Sequence, residues 1–420
     1  MNGMIKKTGM GLVACVLLFM PLIAACGGGD NGEKSPETAQ PPEQVVITIG
    51  NFTDKTGPAA SPLSVIDMAL QDLVDYYNDE NLIPGVQLKV VSYDGQWDPS
   101  RDIPGYKWLK EKGADLMWTC SSHTTTTLLP SVEKDQFIIF SSATTREGLP
   151  SGGYVFAPTS VPEYEIYTLL NWIAENDWDY QTRGPAKIGM AAWNQAYTNA
   201  VASAAEEYAS AHPEQFKWLG AYFTDFTFTW GPQVEALKDA DYVIPGNNLG
   251  NGFPKEYRDA GYTGRFISTD APAAYMSLVD DARLWDELDG MLFMRITRWW
   301  NEEGDGSMID MTIDILERYH PGKAEKTMRG GNGYLALAQA WVMLEVIREA
   351  AEEVGPENLD SRAIYEAAND FQGVIDGVER FTFNEDKRVA NNYHGLYRLS
   401  GEDEDLFRLV PEWIPTVREP

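Results

Sequence analysis

The chain has 420 residues, a formal net charge of -30 at pH 7 and 3 cysteines. So large an excess of negative charge argues against nucleic acid as a partner and against charge-driven binding to anionic lipid headgroups. The length is sufficient for two lobes, each with its own hydrophobic core.

Residues 1–25 predict a secretory signal. Lys6 and Lys7 precede an uncharged, mostly apolar run over 11–25, which is shorter than the ~20 residues that span a bilayer. The run ends in Ile23-Ala24-Ala25-Cys26, which resembles the lipobox of bacterial lipoproteins. The resemblance implies cleavage before Cys26 and a diacylglyceryl group on its thiol; the alternative is an ordinary signal peptide. We therefore expect an extracytoplasmic protein held at the membrane by a lipid on Cys26.

Residues 26–44 are rich in Gly, Pro and Glu, which predicts a flexible tether between the lipid and a soluble domain. In the domain that follows, Cys120 is the single remaining cysteine, so no internal disulfide is expected.

From residue 45 onward, strand and helix patterns alternate, which predicts an α/β fold with parallel sheets. Ser64 to Asp67 has the spacing of a capping box and predicts the start of the first helix there. The pattern restarts near residue 162, and the chain turns helical again beyond residue 300. Strands are predicted at 45–49, 86–90, 115–120, 137–140, 187–191, 219–223, 241–245, 266–269 and 291–296, with strand-like pieces at 380–383 and 393–399.

This order predicts two doubly wound parallel-sheet lobes. The first part of lobe 1 is expected at 45–160 and the first part of lobe 2 at 161–296. Helices at 297–375 are expected to return to lobe 1, and 376–420 to complete lobe 2.

Three segments resemble the type I periplasmic binding proteins, in the branch that binds leucine, isoleucine and valine. Ile49 to Ala60 resembles the opening strand and its Thr-Gly-Pro turn, and Gly153 to Phe156 resembles the first hinge crossing. Cys120-Ser121-Ser122 and Phe140 to Thr144 resemble the two ligand-contact loops. The resemblance implies lobes joined by a multi-strand hinge, a monomer that closes around a solute, and delivery to an ABC permease driven by a cytoplasmic ATPase.

The candidate site residues of lobe 1 are Ser121, Ser122, Ser142 and Thr144. They follow two neighbouring predicted strands, at the edge where open parallel sheets bind ligands. Hydroxyls and backbone N–H groups at the start of a helix suit a carboxylate. The alternative is that these hydroxyls only cap the helix.

In lobe 2, Tyr197 and Asp270 align with the family's tyrosine that closes over the ligand and with its acidic residue that holds an α-ammonium group. An acid opposite a hydroxyl clamp has the polarity that a zwitterion requires. Asp270 could instead cap a helix. Asn247 is a further candidate that could instead belong to a turn.

The identity of the solute stays open at this point. Pro62 stands where several amino-acid binders carry an aromatic side chain, and Trp193, Trp230, Trp299 and Trp300 could line the cleft or belong to the core. The solute could be a branched-chain amino acid, another amino acid or amide, or a small aromatic acid. A sensory lipoprotein that passes its ligand-bound form to a signalling receptor would use the same cleft.

Catalytic and metal-binding patterns are poor. The chain has 4 histidines, and none has the spacing of a metal site. Cys120 and His123 could form a thiol pair, but a cysteine at the end of an apolar strand is typical of the core. The acidic clusters at 302–305 and 402–405 lack the spacing of a calcium loop, which favours solvated faces. We expect a binding protein without catalytic residues, metal or cofactor.

Overall fold

The structure, a computed structural model, describes residues 44–302, 307–331, 333–375 and 377–420. The predicted signal segment, Cys26 and almost all of the tether lie outside these residues.

The first lobe is built on a five-stranded parallel sheet whose strands are buried by helices. Its elements are β1 (Val45–Thr53), α1 (Ala60–Asp79), β2 (Val86–Asp94), α2 (Asp102–Glu111), β3 (Leu116–Thr119), α3 (Ser122–Asp135), β4 (Ile139–Ser141) and β5 (Val155–Phe156). The strand order is β2-β1-β3-β4-β5. Every residue of β3 and β4 is buried, because a parallel sheet covered on both faces has no solvated side.

The second lobe has a larger sheet, which starts after the crossing that follows β5. Its first elements are α4 (Pro162–Asn176), α5 (Tyr180–Arg183), β6 (Ala186–Trp193), α6 (Ala196–Ala211), β7 (Phe216–Thr224), α7 (Gly231–Ala236), β8 (Tyr242–Ile244), α8 (Phe253–Asp259), β9 (Arg265–Ser268), α9 (Met276–Ala282) and β10 (Leu292–Arg295). These five strands run parallel in the order β10-β9-β8-β6-β7.

The chain then returns to the first lobe as four helices, α10 (Met308–Tyr319), α11 (Ala324–Arg329), α12 (Leu337–Val354) and α13 (Ser361–Ala368). Asp72 of α1 is buried and accepts a hydrogen bond of 2.6 Å from the Tyr334 hydroxyl. His320, at the end of α10, lies 2.9 Å from the same carboxylate. The returning helices are thus fastened to α1 by a buried acid as well as by apolar packing.

The last strands form a hairpin and the edge of the second sheet. They are β11 (Gln372–Ile375), β12 (Val378–Thr382), β13 (Tyr393–Ser400), β14 (Asp405–Arg408) and β15 (Ile414–Pro415). β13 runs antiparallel to β10, β14 and β15. Between the lobes, the crossing after β5 pairs with the crossing before β13, through a parallel bridge of Ala157 and Val389.

This architecture confirms the predicted α/β class, with two doubly wound parallel-sheet lobes joined by strand-like crossings. In the acidic cluster at 402–405, the first three residues are exposed, as predicted for a solvated face, and Asp405 alone departs from the prediction. Asp405 is buried, because its carboxylate accepts hydrogen bonds from the Trp299 indole at 2.6 Å and the Asn301 amide at 3.2 Å.

Candidate functional site

A cavity of about 130 Å³ lies between the two sheets. Its walls come from loops that follow the carboxyl ends of β2, β3, β4, β6, β8 and β9, and from α1, the first crossing and the returning helices. Loops at strand ends are the usual ligand-binding positions in open parallel sheets. The lining residues are Pro62, Leu63, Ile66, Trp97, Cys120, Ser122, Ser142, Ala143, Thr144, Thr159, Ser160, Glu165, Gln195, Tyr197, Asn247, Asp270, Ala271, Ala274, Tyr275, Ala336 and Gln339.

The lobe-1 wall offers hydrogen-bond donors. Ser122 is the first residue of α3, and its hydroxyl makes no hydrogen bond to the described residues. The backbone N–H groups of Ala143 and Thr144 likewise have no acceptor among the described residues. Thr144 Oγ1 lies 2.8 Å from Thr125 Oγ1. Together with the helix N-terminus, these groups can receive a carboxylate without any basic side chain.

Ser121, although adjacent to Ser122, is not among the residues that line the cavity. It occupies the N-cap position of α3 in an extended conformation, but its side chain makes no capping hydrogen bond. Its hydroxyl is buried without a hydrogen-bond partner in the described part of the chain. The two serines, equivalent in the sequence pattern, therefore differ in their environment.

The lobe-2 wall contains Tyr197, Asn247 and Asp270. The Tyr197 hydroxyl donates to Thr269 Oγ1 at 3.0 Å, which fixes its ring over the cavity floor. The Asn247 amide lies 3.4 Å from Gln195 Oε1. Six of the seven residues expected to bind ligand thus surround one cavity: Ser122, Ser142, Thr144, Tyr197, Asn247 and Asp270.

Asp270 belongs to a buried charge cluster that the sequence did not suggest. Arg295 Nη1 lies 3.1 Å from Asp270 Oδ1, and Arg295 is fully buried. Glu165 of α4 accepts the backbone N–H of Asp270 at 2.7 Å. Burial raises the pKa of the Glu165 carboxyl well above its ordinary value, the negative charge of Asp270 raises it further, and Arg295 opposes both.

One sequence signal could have indicated Arg295. It ends the otherwise apolar strand β10, and a basic residue in a buried strand requires a partner. Glu165 gave no comparable signal, because acids are common in the first turn of a helix.

The tryptophans singled out in the sequence do not line the cavity. Trp230 and Trp299 are fully buried in the core, and the Trp193 indole donates to the carbonyl of Thr227 at 2.8 Å. Trp97 lines the cavity instead, from the loop after β2. Nothing in the spacing of the sequence distinguished it from a core aromatic residue.

Cys120 and His123 bind different partners. Cys120 Sγ accepts a hydrogen bond of 2.7 Å from the Ser142 hydroxyl, and burial raises the pKa of its thiol to about 12. His123 Nδ1 lies 3.0 Å from Asp102 Oδ2. A thiol with so high a pKa is a poor nucleophile at neutral pH, and its nearest polar partner is a hydroxyl.

His394, at the start of the hinge-side strand β13, is fully buried behind the cavity. Its Nε2 lies 3.0 Å from the hydroxyl of Ser160, which lines the cavity. Its Nδ1 lies 3.2 Å from the hydroxyl of Thr416 on the opposite side.

Within the described ranges, no helix is both long enough and apolar enough to cross a membrane. In the same ranges, no group of three or more His, Cys, Asp or Glu side chains could hold a metal ion.

Comparison with protein families matches residues 46–401 to the family described as "Periplasmic binding protein". No curated protein matches the chain. Solved structures match its fold at low sequence identity. One is a branched-chain amino-acid ABC transporter protein from Thermus thermophilus with bound valine, with a TM-score of 0.75 and 15% identity over 89% of this chain and 97% of that one.

Two further structures differ in their stated ligands. A fatty acid ABC transporter substrate-binding protein from Thermomonospora curvata has a TM-score of 0.72 and 15% identity, over 89% of this chain and 95% of that one. A solute-binding protein from Rhodopseudomonas palustris BisB5, in complex with 3,4-dihydroxy benzoic acid, has a TM-score of 0.71 and 14% identity, over 89% of this chain and 99% of that one.

Proposed function

Because this chain belongs to the periplasmic binding protein family, we propose that it captures a small solute between its lobes by hinge closure and delivers it to the permease of an ABC importer. The observation that carries the proposal is the cavity, whose walls combine strand-end loops of both sheets. A solute that contacts both walls binds the closed form better than the open one, and so shifts the population toward closure.

The proposed solute carries a carboxylate, which the lobe-1 wall receives. Ser122, Ala143 and Thr144 supply a hydroxyl and backbone N–H groups that lack partners within the described protein. Valine, fatty acids and 3,4-dihydroxybenzoic acid, the ligands of the three similar structures described above, share a carboxyl group. A clamp for this group is therefore the feature most compatible with all three.

An amino acid of the branched-chain type is the first candidate. Asp270 lines the lobe-2 wall, where its carboxylate can pair with an α-ammonium group in addition to Arg295. Leu63 and Ile66 of α1 provide apolar wall for an aliphatic side chain. The α-ammonium would face lobe 2 and the carboxylate lobe 1.

A small aromatic acid is the second candidate, on a separate observation. Trp97 and Tyr275 both line the cavity, and aromatic walls suit a flat ring. In this case the ion pair with Arg295 satisfies Asp270, and no ammonium group is needed.

The test is a thermal-shift screen of refolded, ligand-stripped protein against amino acids, amides and small aromatic acids. A solute at a concentration a hundred times its dissociation constant adds about 2.7 kcal/mol to the free energy of unfolding and raises the melting temperature by several degrees. Ser122→Ala should weaken binding of that solute about tenfold or more, because it removes a hydrogen bond to a charged group.

Ser121→Ala is the matched control, since its hydroxyl is one residue away but off the cavity wall. It should leave the affinity unchanged. Equal losses of affinity in both variants, or no loss in Ser122→Ala, would contradict the proposed clamp. No shift with any compound would move the proposal to another class of solute.

We also propose that the protein is held at the membrane by a lipid on Cys26. The support is the lipobox-like sequence Ile23 to Cys26 and the polar segment that follows it. Cys26→Ser should move the protein from the membrane fraction to the soluble fraction of its host, as seen by immunoblotting. Continued retention in the membrane fraction would rule out the anchor.

A further inference from the structure

A second cavity, of about 870 Å³, lies beside the crossings between the lobes. Four basic side chains line it, although the chain as a whole has a net charge of -30. They come from the loop after β4, the loop before β13 and the C-terminal segment: Arg146, Lys387, Arg388 and Arg418. Two acids, Glu379 and Asp386, also line the cavity, and both residues are exposed.

Lys387 has neutral oxygens as its only partners in the described protein. Its ammonium group donates to Thr382 Oγ1, to the carbonyl of Ala390 at 3.0 Å and to Asn392 Oδ1 at 2.7 Å. It makes no ion pair with any described carboxylate. Burial and, after it, the nearby charge of Arg418 together lower the pKa of Lys387 to about 7. Its charged form therefore lacks the counterion that a buried cation needs.

Arg388 is buried and is also without an acidic partner in the described ranges. Its guanidinium donates to the carbonyls of Gly153 and Asn384 at 2.7 and 2.5 Å, and to the Tyr365 hydroxyl at 3.1 Å. These contacts hold the group at the cavity wall through neutral oxygens, and Glu133 and Asp386 act on its charge only from beyond ion-pair distance.

Arg418 contributes the donors that remain open. Its Nη2 donates to the carbonyl of Asn391 at 3.1 Å and to Asn392 Oδ1 at 3.3 Å, whereas Nε and Nη1 have no acceptor in the described protein. Arg146, on the facing wall, pairs with Glu207 at 2.9 Å and Glu163 at 3.7 Å. The excess of positive charge in the cavity therefore comes from Lys387, Arg388 and Arg418.

We propose that this cavity is a second binding site, separate from the solute cavity, that takes a small oxyanion such as inorganic phosphate or sulfate. Guanidinium groups suit the geometry of such an anion, and an ammonium group nearby supplies point charge. The anion would give three buried or half-buried cations the negative partner that the described protein does not provide.

The test is calorimetric titration of the protein with inorganic phosphate at constant ionic strength, with chloride as the balancing salt. Saturable binding of one phosphate per chain is expected. Arg418→Gln should weaken it about tenfold or more, since this residue carries the open donors. Arg362→Gln is the matched control, because that side chain is 84% exposed and, among the described residues, forms an ion pair only with its helical neighbour Glu366.

Lys387→Gln serves as a second variant if Arg418→Gln does not fold, and should also weaken phosphate binding. Binding that does not saturate, or that is equal in the cavity variants and the control, would overturn the proposal. Loss of phosphate binding in Thr144→Ala alone would overturn it too, because the anion would then occupy the solute cavity.

Discussion

Glu165, Asp270 and Arg295 place two acids and one base where solvent barely reaches them. Glu165 is held 2.7 Å from the backbone nitrogen of Asp270 and faces the charges of Asp270, Arg295 and Glu163. Because burial and Asp270 raise its pKa, the folded protein binds a proton on Glu165 at pH values where the unfolded chain has released it.

This proton makes stability depend on pH in a defined direction. Between the ordinary pKa of 4.5 and the raised value, the folded state binds more protons, so the free energy of unfolding falls as pH rises. Above the raised pKa, this group no longer makes the free energy of unfolding change with pH. Each unit of difference in pKa is worth about 1.4 kcal/mol.

Glu165→Gln removes this contribution, because an amide does not titrate and can still accept the N–H of Asp270. The stability of the variant relative to wild type should therefore increase as pH rises above 4.5 and then level off. Urea denaturation of both proteins between about pH 4.5 and about pH 8 measures this difference in the free energy of unfolding. Glu175→Gln, an exposed position on the same helix, should give a profile parallel to wild type; a parallel profile for Glu165→Gln would refute the assignment.

The sequence could predict candidate side chains but not their directions. Ser121 and Ser122 follow the same strand, and which of them meets the cavity depends on the extended conformation of Ser121 before the helix. Arg295 is the last residue of β10, and Asp270 follows the end of β9. The two side chains come close only because β9 and β10 pair in the folded sheet. Patterns along one chain cannot show which strands become neighbours.

At the scale of elements, order and type were predicted better than boundaries. The first helix begins at Ala60, four residues before the capping box proposed at Ser64. Asp54 explains the difference: its carboxylate accepts the N–H groups of Gly57 and Ala59 and orders the turn, so the helix can begin directly after it. The Ser64 hydroxyl instead donates to the carbonyl of Ser61 within the helix.

Short edge strands were among the elements that sequence patterns missed. β11, β14 and β15 have four, four and two residues, too few for an alternating pattern to stand out. Their pairing depends on β12 and β13, which were predicted as strand-like pieces. Partners distant in sequence define such strands, more than their own composition does.

At the scale of the whole molecule, the lobes approach each other closely beside Ala274, which lines the solute cavity. The backbone N–H of Ser277, in lobe 2, donates to the carbonyl of Gly330 at 2.9 Å. Gly331 has φ +140, and a Cβ added there would lie 2.7 Å from the carbonyl oxygen of Ala273. A residue other than glycine would thus be strained, and it would also separate the lobes.

Gly331→Ala should hinder closure and lower the affinity for the solute about tenfold or more, because the apparent affinity falls in proportion to the population of the closed form. Calorimetry with the solute found in the thermal-shift screen measures it. Gly322→Ala is the control: its φ is +74, but a Cβ would meet no atom within 4 Å. If both variants bind the solute equally, contact at Gly331 does not limit closure.

His394 joins the two cavities through one side chain, since Ser160 lines the first and Thr416 the second. Burial and the charges of Arg380 and Arg418 lower the pKa of His394 to about 3, so at neutral pH its ring carries one proton on one of two nitrogens. When Nε2 holds the proton, it donates to Ser160, and Thr416 must donate to Nδ1. When Nδ1 holds it, the roles reverse. The hydroxyl that accepts from the ring keeps its own proton, which it can donate to a ligand or to a long-range backbone acceptor, Val161 O at 3.4 Å for Ser160 or Asn391 O at 3.5 Å for Thr416. The other hydroxyl donates its proton to the ring. The tautomer preferred by the content of one cavity therefore changes the hydrogen bonds that the other cavity offers.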